Sequence, residues 1–157
     1  MQISFGPLGP GDYHKVAHIA VAPEQVRFSG TIEEAFASPS PTLDFYATEL
    51  DGNPVGFFKI DLDYQREHDF ALPGELGLRT VMLEIAHQGK GVASQSLRAL
   101  PAFLKKQYPE ATSLALTVNT ANAGAIRSYI SSGFSDTGGL YLGGDQGPQH
   151  IMRMALT

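Results

Sequence analysis

Two glycines separated by one residue join an apolar segment to a helix-like segment near the middle of the chain. The apolar segment, Val81 to Ala86, has the composition of a β-strand, and Gly89 and Gly91 follow it almost at once. Beyond them, apolar residues recur at the spacing of one helix face, namely Val92, Leu97, Leu100, Phe103 and Leu104. We therefore predict a strand that passes abruptly into a helix.

A junction of this kind favours anion binding. The first N–H groups of a helix have no intrahelical acceptor, and the helix dipole adds about half a positive charge at that end. Gly89 and Gly91 suit the junction, because a residue without Cβ can adopt a positive φ and lets a ligand oxygen approach the backbone. Phosphate is the usual ligand at such a helix start. The sequence therefore indicates a phosphate-binding loop.

Spacing argues against two of the known phosphate loops. A Walker loop requires Ser or Thr after its Gly-Lys pair, but here Gly89-Lys90 is followed by Gly91. A dinucleotide-binding loop requires a third glycine where this chain has Ser94. It also requires an acidic residue at the end of the next strand, where this chain has Asn119.

A third loop pattern, Q/R-x-x-G-x-G/A, is matched by Gln88, Gly91 and Ala93. It resembles the coenzyme A pyrophosphate loop of the GNAT superfamily of N-acetyltransferases. Residues 116–134 are similar to a second pattern of that superfamily, L-x-V-x-x-x-N-x-x-A-I/V-x-x-Y-x-x-x-G-F/Y, through Asn122, Ala125, Ile126, Tyr129, Gly133 and Phe134. Since both motifs occur in the order and at the separation that the family shows, the resemblance extends from about residue 43 to the C-terminus.

The resemblance implies an α+β fold, with a mixed, mostly antiparallel sheet of about seven strands flanked by about four helices. It also implies a splayed V between the central strands. The strands that we predict from the residues are Gln2–Phe5, Thr42–Leu50, Pro54–Tyr64, Glu75–Ala86, Leu114–Val118, Phe134–Tyr141 and Gln149–Leu156.

Short local signals mark several boundaries in the first half of the chain. Gly6-Pro7 is expected to end the first strand, and Asp12 to cap a helix that buries Val16, Ala17 and Ile19. Thr31 and Glu34 form a capping box for a helix over Ile32 to Ala37. Asp51-Gly52-Asn53 predicts a hairpin turn, and Gln65 to Gly74 a polar loop.

Composition excludes several classes of protein. A chain of 157 residues with 43% hydrophobic and 17% charged residues is typical of one globular domain, residues 1–157. It has neither an apolar run of about 18 residues nor a signal-peptide pattern, so we expect a cytoplasmic protein without membrane contact. The net charge of −5 argues against nucleic acid as a partner. The chain has no cysteine, so any acetyl transfer must be direct, and its histidine spacing is not that of a metal site.

The family resemblance implies acetyl-coenzyme A as co-substrate and a role for each motif. Backbone N–H groups of the glycine loop, together with Gln88, would bind the pyrophosphate, and the backbone of Met82 and Leu83 would pair with the pantetheine arm. The N–H of Leu83 would stabilise the oxyanion, and Tyr129 would protonate the departing thiolate. The cofactor-binding residues expected on this basis are Met82, Leu83, Gln88, Gly89, Lys90, Gly91, Val92, Ala93, Asn122 and Tyr129.

The acceptor implied by the resemblance is a primary amine, such as a polyamine or another small amine. With a pKa near 10.4, about one alkylammonium in a thousand is neutral at pH 7.4, so a base is expected. Glu84 is the candidate beside the reaction centre, and Glu75, His87, Asp61, Asp63 and Glu67 stay open. Gln25, Phe28 and Arg79 are the candidate acceptor-binding residues. A polycation would be favoured if Asp61, Asp63, Glu84 and Asp145 converge, and the resemblance is compatible with a homodimer.

Two other functions use the same glycines. A module that binds or senses acyl-coenzyme A without catalysis would keep the fold. A nucleotide-binding regulator would bind NAD or ATP instead of coenzyme A.

A thermal-shift panel separates these ligands. Coenzyme A is expected to raise Tm, because a ligand that binds only the folded chain at 100 times its Kd stabilises that chain by about 2.7 kcal/mol. NAD and ATP at equal concentration are expected to leave Tm unchanged. A shift with NAD or ATP but none with coenzyme A would reverse the interpretation of the loop.

Overall fold

The computed structural model describes residues 1–157 and contains one seven-stranded sheet. The strands are β1 (Ile3–Leu8), β2 (Leu43–Leu50), β3 (Asn53–Asp61), β4 (Glu75–Leu83), β5 (Ser113–Asn119), β6 (Ser135–Tyr141) and β7 (Gln149–Ala155). They lie in the order β1-β2-β3-β4-β5-β7-β6, and only β4 and β5 are parallel neighbours. The predicted mixed, mostly antiparallel sheet is confirmed.

Six helices accompany the sheet, and two of them are long. In chain order they are α1 (Tyr13–Val16), α2 (Val26–Ser29), α3 (Ile32–Ala37), α4 (Tyr64–Glu67), α5 (Val92–Gln107) and α6 (Ala123–Ser131). α5 and α6 contribute buried residues such as Leu100 and Tyr129 to one core cluster. α1 and α3 contribute Val16 and Ile32 to a second cluster. No helix is both long and apolar enough to span a membrane.

β4 and β5 separate soon after they begin to pair. Their parallel pairing is limited to three residue pairs, Glu75 with Ser113, Leu76 with Leu114 and Gly77 with Ala115. Beyond this point β4 stays paired with β3 and β5 stays paired with β7. The facing edges of residues 78–83 and 116–119 are therefore unpaired with each other, and the predicted V is present.

A buried ion pair holds the closed end of this V. The Glu75 side chain is fully buried, and its carboxylate accepts hydrogen bonds from the Arg153 guanidinium (Nη2, 3.0 Å), the Ser113 hydroxyl (2.6 Å) and the Leu72 N–H (3.0 Å). Burial acts to raise the pKa of Glu75, but these donors outweigh it and hold the pKa below the ordinary value of 4.5. Glu75 is therefore structural, which removes it from the residues left open as the catalytic base.

One glycine allows the segment after β3 to pack against the same end of the V. A Cβ on Gly77, the last β4 residue paired with β5, would lie 2.1 Å from the Tyr64 ring. Only glycine leaves room for this ring. Tyr64 is almost completely buried and begins α4, so the close approach positions the residues that follow it.

Three predicted boundaries are wrong for tertiary reasons. β1 continues through Gly6-Pro7, because it is an edge strand and a proline without an N–H is tolerated there. β3 ends at Asp61, and α4 occupies part of the predicted polar loop. β4 ends at Leu83, and residues Ile85–His87 form a 3₁₀ turn rather than more strand.

Local capping signals gave mixed results. The Thr31 hydroxyl accepts a hydrogen bond from the Glu34 N–H at 3.2 Å, so the predicted cap of α3 is confirmed. The Asp12 carboxylate instead accepts a hydrogen bond from the Gly9 N–H at 2.7 Å and makes no side-chain capping bond to α1. Ala17, which was expected to be buried by this helix, is exposed.

The outer strand β6 has an irregular register between Asp136 and Leu140, where Gly138 has a φ of 84°.

Glu75→Gln is expected to lower the free energy of unfolding at pH 7 by roughly 3 kcal/mol, because Arg153 would be left without its counter-charge. Since the pKa of Glu75 is depressed, its stabilisation is present above pH 4.5 and is lost as pH falls below that value. The difference between variant and wild type should therefore shrink towards pH 3. Urea unfolding at both pH values measures it, with the exposed Glu110→Gln as control.

Candidate active site

Six successive backbone N–H groups, from Gly89 to Ser94, have no acceptor in the protein. The N–H of Gln88 is the last to be bonded before this run, and that of Gln95 is the first after it. Gly89 and Gly91 have φ values of 76° and 80°, and Gly91 begins α5 without a side-chain cap. An anionic group such as a diphosphate fits this arrangement, because the unbonded donors coincide with the positive end of a 16-residue helix.

The V opens into a cleft of about 830 Å³. This volume is within the range of about 300 to 1,000 Å³ that is typical of small-molecule sites. The predicted site residues that line the cleft are Gln25, Phe28, Arg79, Leu83, Gln88, Gly89, Ala93, Asn122 and Tyr129. Those that do not line it are Met82, Glu84, Lys90, Gly91 and Val92.

Tyr129 on α6 and Asn122, the residue just before this helix, are the two polar residues of the second motif that line this cleft. Tyr129 is buried, its ring packs against Phe134 at 5.5 Å, and its hydroxyl makes no hydrogen bond to another protein group. Burial raises the pKa of Tyr129, so the phenol keeps its proton at neutral pH. Asn122 makes no side-chain capping bond to α6, so its amide remains available to a ligand. Both side chains can therefore hydrogen-bond to a molecule in the V.

The end of β4 presents backbone groups to the same space. Glu84 N–H donates to the Val55 carbonyl at 2.7 Å, and the adjacent pair in the ladder is Leu83 with Gly56. Because bonded and non-bonded pairs alternate in antiparallel ladders, the N–H of Leu83 points away from β3 and towards the V. The next bonded pair is Met82 with Phe57, so the Met82 peptide groups face β3. The expectation that the Met82 backbone pairs with the pantetheine arm is therefore wrong.

A bulge in β4, which the sequence did not reveal, reshapes this strand. Thr80 and Val81 together lie opposite Phe58, and Thr80 has a φ of 56°. A positive φ is unusual for a β-branched residue and stores backbone strain. Both bulge residues line the cleft, so the strain occurs where the strand edge meets the ligand space.

Gln88 uses its side chain to hold the cleft together. Its Oε1 accepts from Gln25 Nε2 at 3.1 Å, and its Nε2 donates to Gln25 Oε1 at 3.0 Å and to the Leu83 carbonyl at 2.8 Å. Gln25 Oε1 also accepts from the Ala22 N–H at 2.9 Å. The two amides therefore tie the segment before α2 to the end of β4 and to the glycine loop. Gln88 therefore helps to fix the position of the glycine loop through hydrogen bonds within the protein, in addition to any contact with a ligand.

The acidic residues do not converge as the polycation hypothesis required. The Glu84 carboxylate accepts from the Ala86 N–H at 3.0 Å and lines a separate pocket with His87, which is inconsistent with a base in the cleft. Asp61 is buried against Arg79 at 3.1 Å, and Asp63 pairs with Arg66. Only two carboxylates, those of Glu67 and Asp145, line the cleft.

The Arg79 side chain lines the cleft, but two carboxylates already neutralise its positive charge. Its guanidinium lies 3.1 Å from the Asp61 carboxylate and 3.4 Å from that of Glu67. Arg79 therefore positions acidic groups at the cleft wall instead of offering a free cation. No group of three or more His, Asp or Glu side chains lies close enough together to hold a metal ion.

The far wall of the cleft contains residues that the sequence did not identify, chiefly Tyr64, His68 and Tyr141. The loop between β6 and β7 borders them and is held by the end of β5, where Asn119 Nδ2 donates to the Gln146 carbonyl at 2.7 Å. Residues from three separate segments of the chain meet here. No local pattern could have revealed this wall.

Comparisons with known proteins agree with this geometry. The family model described as the acetyltransferase (GNAT) family matches residues 12–134. The Bacillus subtilis protein named uncharacterized N-acetyltransferase YbbJ is 31% identical over 115 residues, which is 71% of this chain and 72% of that protein. The chain therefore belongs to the GNAT acetyltransferase family, and it is an N-acetyltransferase with acetyl-coenzyme A as co-substrate.

Solved structures share the fold at low sequence identity. AAC(6')-Ib in complex with ribostamycin and coenzyme A has a TM-score of 0.78 at 21% identity, with 99% of this chain and 94% of that chain covered. A spermidine N-acetyltransferase SpeG chimera from Vibrio cholerae has a TM-score of 0.71 at 15% identity, covering 99% and 96%. The ribosomal-protein-S18-alanine N-acetyltransferase from Escherichia coli has a TM-score of 0.63 at 18% identity, covering 99% and 95%.

Gly91→Ala is expected to weaken coenzyme A binding by roughly tenfold or more, equivalent to about 1.4 kcal/mol. The added Cβ meets no atom, but a φ of 80° costs a non-glycine residue about 1–2 kcal/mol, so the loop relaxes and its N–H groups turn. Calorimetric titration measures Kd, and Gly11→Ala, which has open space and no positive φ, is the control. Equal Kd values for variant and wild type would remove this loop from the cofactor site.

Proposed function

We propose that this acetyltransferase transfers acetyl directly to a primary amine of a small cationic molecule such as a polyamine. The observation that carries the proposal is that the six unbonded N–H groups from Gly89 to Ser94 adjoin the same cleft into which Tyr129 presents its unbonded hydroxyl. Anion-binding and proton-donating groups are thus combined in one site, as acyl transfer from a diphosphate-bearing thioester requires.

The cofactor half of the site is made largely of backbone groups. The N–H groups of the glycine loop hold the pyrophosphate, and the outward N–H of Leu83 and the Asn122 amide are placed to bind along the V. Gln88 keeps the loop and the end of β4 in register through its bonds to Gln25 and Leu83. Acetyl-coenzyme A supplies an acetyl group already activated as a thioester.

Two groups of the chain act on the reaction itself. The Leu83 N–H stabilises the oxyanion that forms when an amine attacks, a contribution of about 10² to 10³ in rate for a single donor. Tyr129 protonates the departing thiolate. Because burial raises the pKa of Tyr129, its phenol is still protonated at neutral pH and has a proton to give. Because the chain contains no cysteine, the acetyl group passes directly from donor to acceptor.

The acceptor end of the cleft offers carboxylates to a cationic substrate. Arg79 is neutralised by Asp61, and Glu67 and Asp145 lie at the cleft wall, which Arg27 and Arg127 also line. The structures with this fold include one bound to ribostamycin and one named a spermidine N-acetyltransferase, and both ribostamycin and spermidine carry several amines. A small polyamine is therefore the first acceptor to test.

An acceptor panel tests the assignment by thiol release from acetyl-coenzyme A. Spermidine, spermine, ribostamycin, single amino acids and a short peptide with a free N-terminus are compared at equal concentration. Higher turnover with spermidine or spermine than with amino acids or peptide is expected. Binding of coenzyme A without thiol release from any amine would instead favour a non-catalytic acyl-coenzyme A sensor.

Tyr129→Phe is expected to lower kcat by roughly 10² or more while the Kd for coenzyme A holds, because only the proton donor is removed. Steady-state kinetics and calorimetry measure the two quantities. Tyr13→Phe, on α1 and away from the cleft, is the matched control. An unchanged kcat would exclude Tyr129 as the acid.

A further inference from the structure

His68 is a buried cleft residue whose ring nitrogens have no hydrogen-bond partner in the protein. It follows α4, lines the cleft and is only 8% exposed. Neither ring nitrogen hydrogen-bonds to a protein group, and Nδ1 is completely buried without a partner. More than nine in ten buried polar groups are satisfied in folded proteins, so an unsatisfied one requires an explanation.

Three aromatic rings hold His68 in place. Its ring centroid lies 4.3 Å from that of Tyr64, 5.0 Å from that of Phe70 and 4.9 Å from that of Tyr141. Tyr64 in turn packs against Gly77, the last residue of β4 that pairs with β5. The histidine is therefore fixed in orientation beside the point at which the two central strands separate.

The charged groups around His68 come from three parts of the chain. Arg79 lies on β4, Asp61 on β3, and Glu67 and Asp69 adjoin His68 itself, while the neighbouring Tyr64 and Tyr141 are phenols. Burial, and then Arg79, lower the pKa of His68 below 6.5 against the opposing carboxylates. The imidazole is consequently neutral at pH 7 and has a lone pair that can take a proton.

The same surroundings favour an ammonium group. Aromatic faces attract cations, and the Glu67 carboxylate lines the cleft next to the histidine. Nε2, in contrast to Nδ1, is unbonded without being completely buried, so it is the ring nitrogen that a molecule in the cleft can contact. We propose that His68 Nε2 removes the proton from the acceptor ammonium, and that the wall formed by Tyr64, His68 and Tyr141 is where this ammonium binds. The inference rests on the proposed function, for which the sequence left the base open.

The proton balance of this step closes without a further reactant. An ammonium N–H bond breaks, an N–H bond forms on the imidazole, and the freed lone pair attacks the thioester carbonyl. Tyr129 gives its proton to the departing thiolate and regains one as the acylated nitrogen loses a proton. The imidazolium then releases its proton to water, so the net products are the amide, the thiol and one proton.

His68→Phe separates catalysis from packing. Phenylalanine keeps the ring contacts with Tyr64, Phe70 and Tyr141 and removes the unsatisfied nitrogen, so Tm is expected to stay equal or rise. With spermidine as acceptor, kcat is expected to fall by roughly 100-fold while the KM for acetyl-coenzyme A holds. The decline of kcat/KM below pH 6.5 that His68 causes in the wild type should disappear.

Two more variants complete the test. His68→Ala opens space at the wall, and added imidazole is expected to restore part of its activity, which a purely structural histidine would not allow. His68→Gln provides the comparison if the phenylalanine variant does not fold, and the exposed His14→Gln is the control.

The outcomes distinguish this inference from the proposed function. Equal kcat for His68→Phe and wild type across pH 6 to 9, or for His68→Gln where phenylalanine prevents folding, would overturn the inference alone. So would a His68→Ala variant that imidazole does not rescue. A wild type that releases no thiol with spermidine or any other amine of the panel would overturn both.

Discussion

The early end of the β4–β5 pairing is the constraint on which the rest of this structure depends. Three residue pairs join the two strands, and the buried Glu75–Arg153 ion pair closes that end. Because each strand keeps its other neighbour, the sheet stays intact while its centre opens. The opening exposes the Leu83 N–H, and residues of both α5 and α6 line the cleft that it forms. A sheet paired to the end of both strands would have no site.

The two halves of the cleft present different kinds of chemical group. Near α5, the ligand-binding groups are backbone N–H donors, so their presentation depends on φ values and on the Gln25–Gln88 amide pair. At the other end, side chains such as Tyr64, His68 and Glu67 form the wall. The first half suits a cofactor with invariant chemistry. In the proposed function, the second half is the part that selects the amine.

This division also explains what could be predicted from the sequence. The glycine loop, the α3 cap and the fold follow from short patterns, because a positive φ or a capping bond involves residues close in sequence. The Thr80 bulge contains no glycine that would signal it, and the Glu84 carboxylate lines a pocket separate from the cleft, which no local pattern indicates. Contact between Tyr64 and Gly77, on which the position of His68 depends, links segments that only the folded sheet brings together.

The irregularities at the two outer strands affect how this molecule meets copies of itself. An edge strand offers open hydrogen-bonding groups to any further strand, and a long regular edge invites stacking into fibres. β1 has a proline at position 7, and β6 is interrupted around Gly138. Both edge strands of the sheet are therefore poor templates for pairing with a strand of another copy, which disfavours polymerisation through the sheet edges.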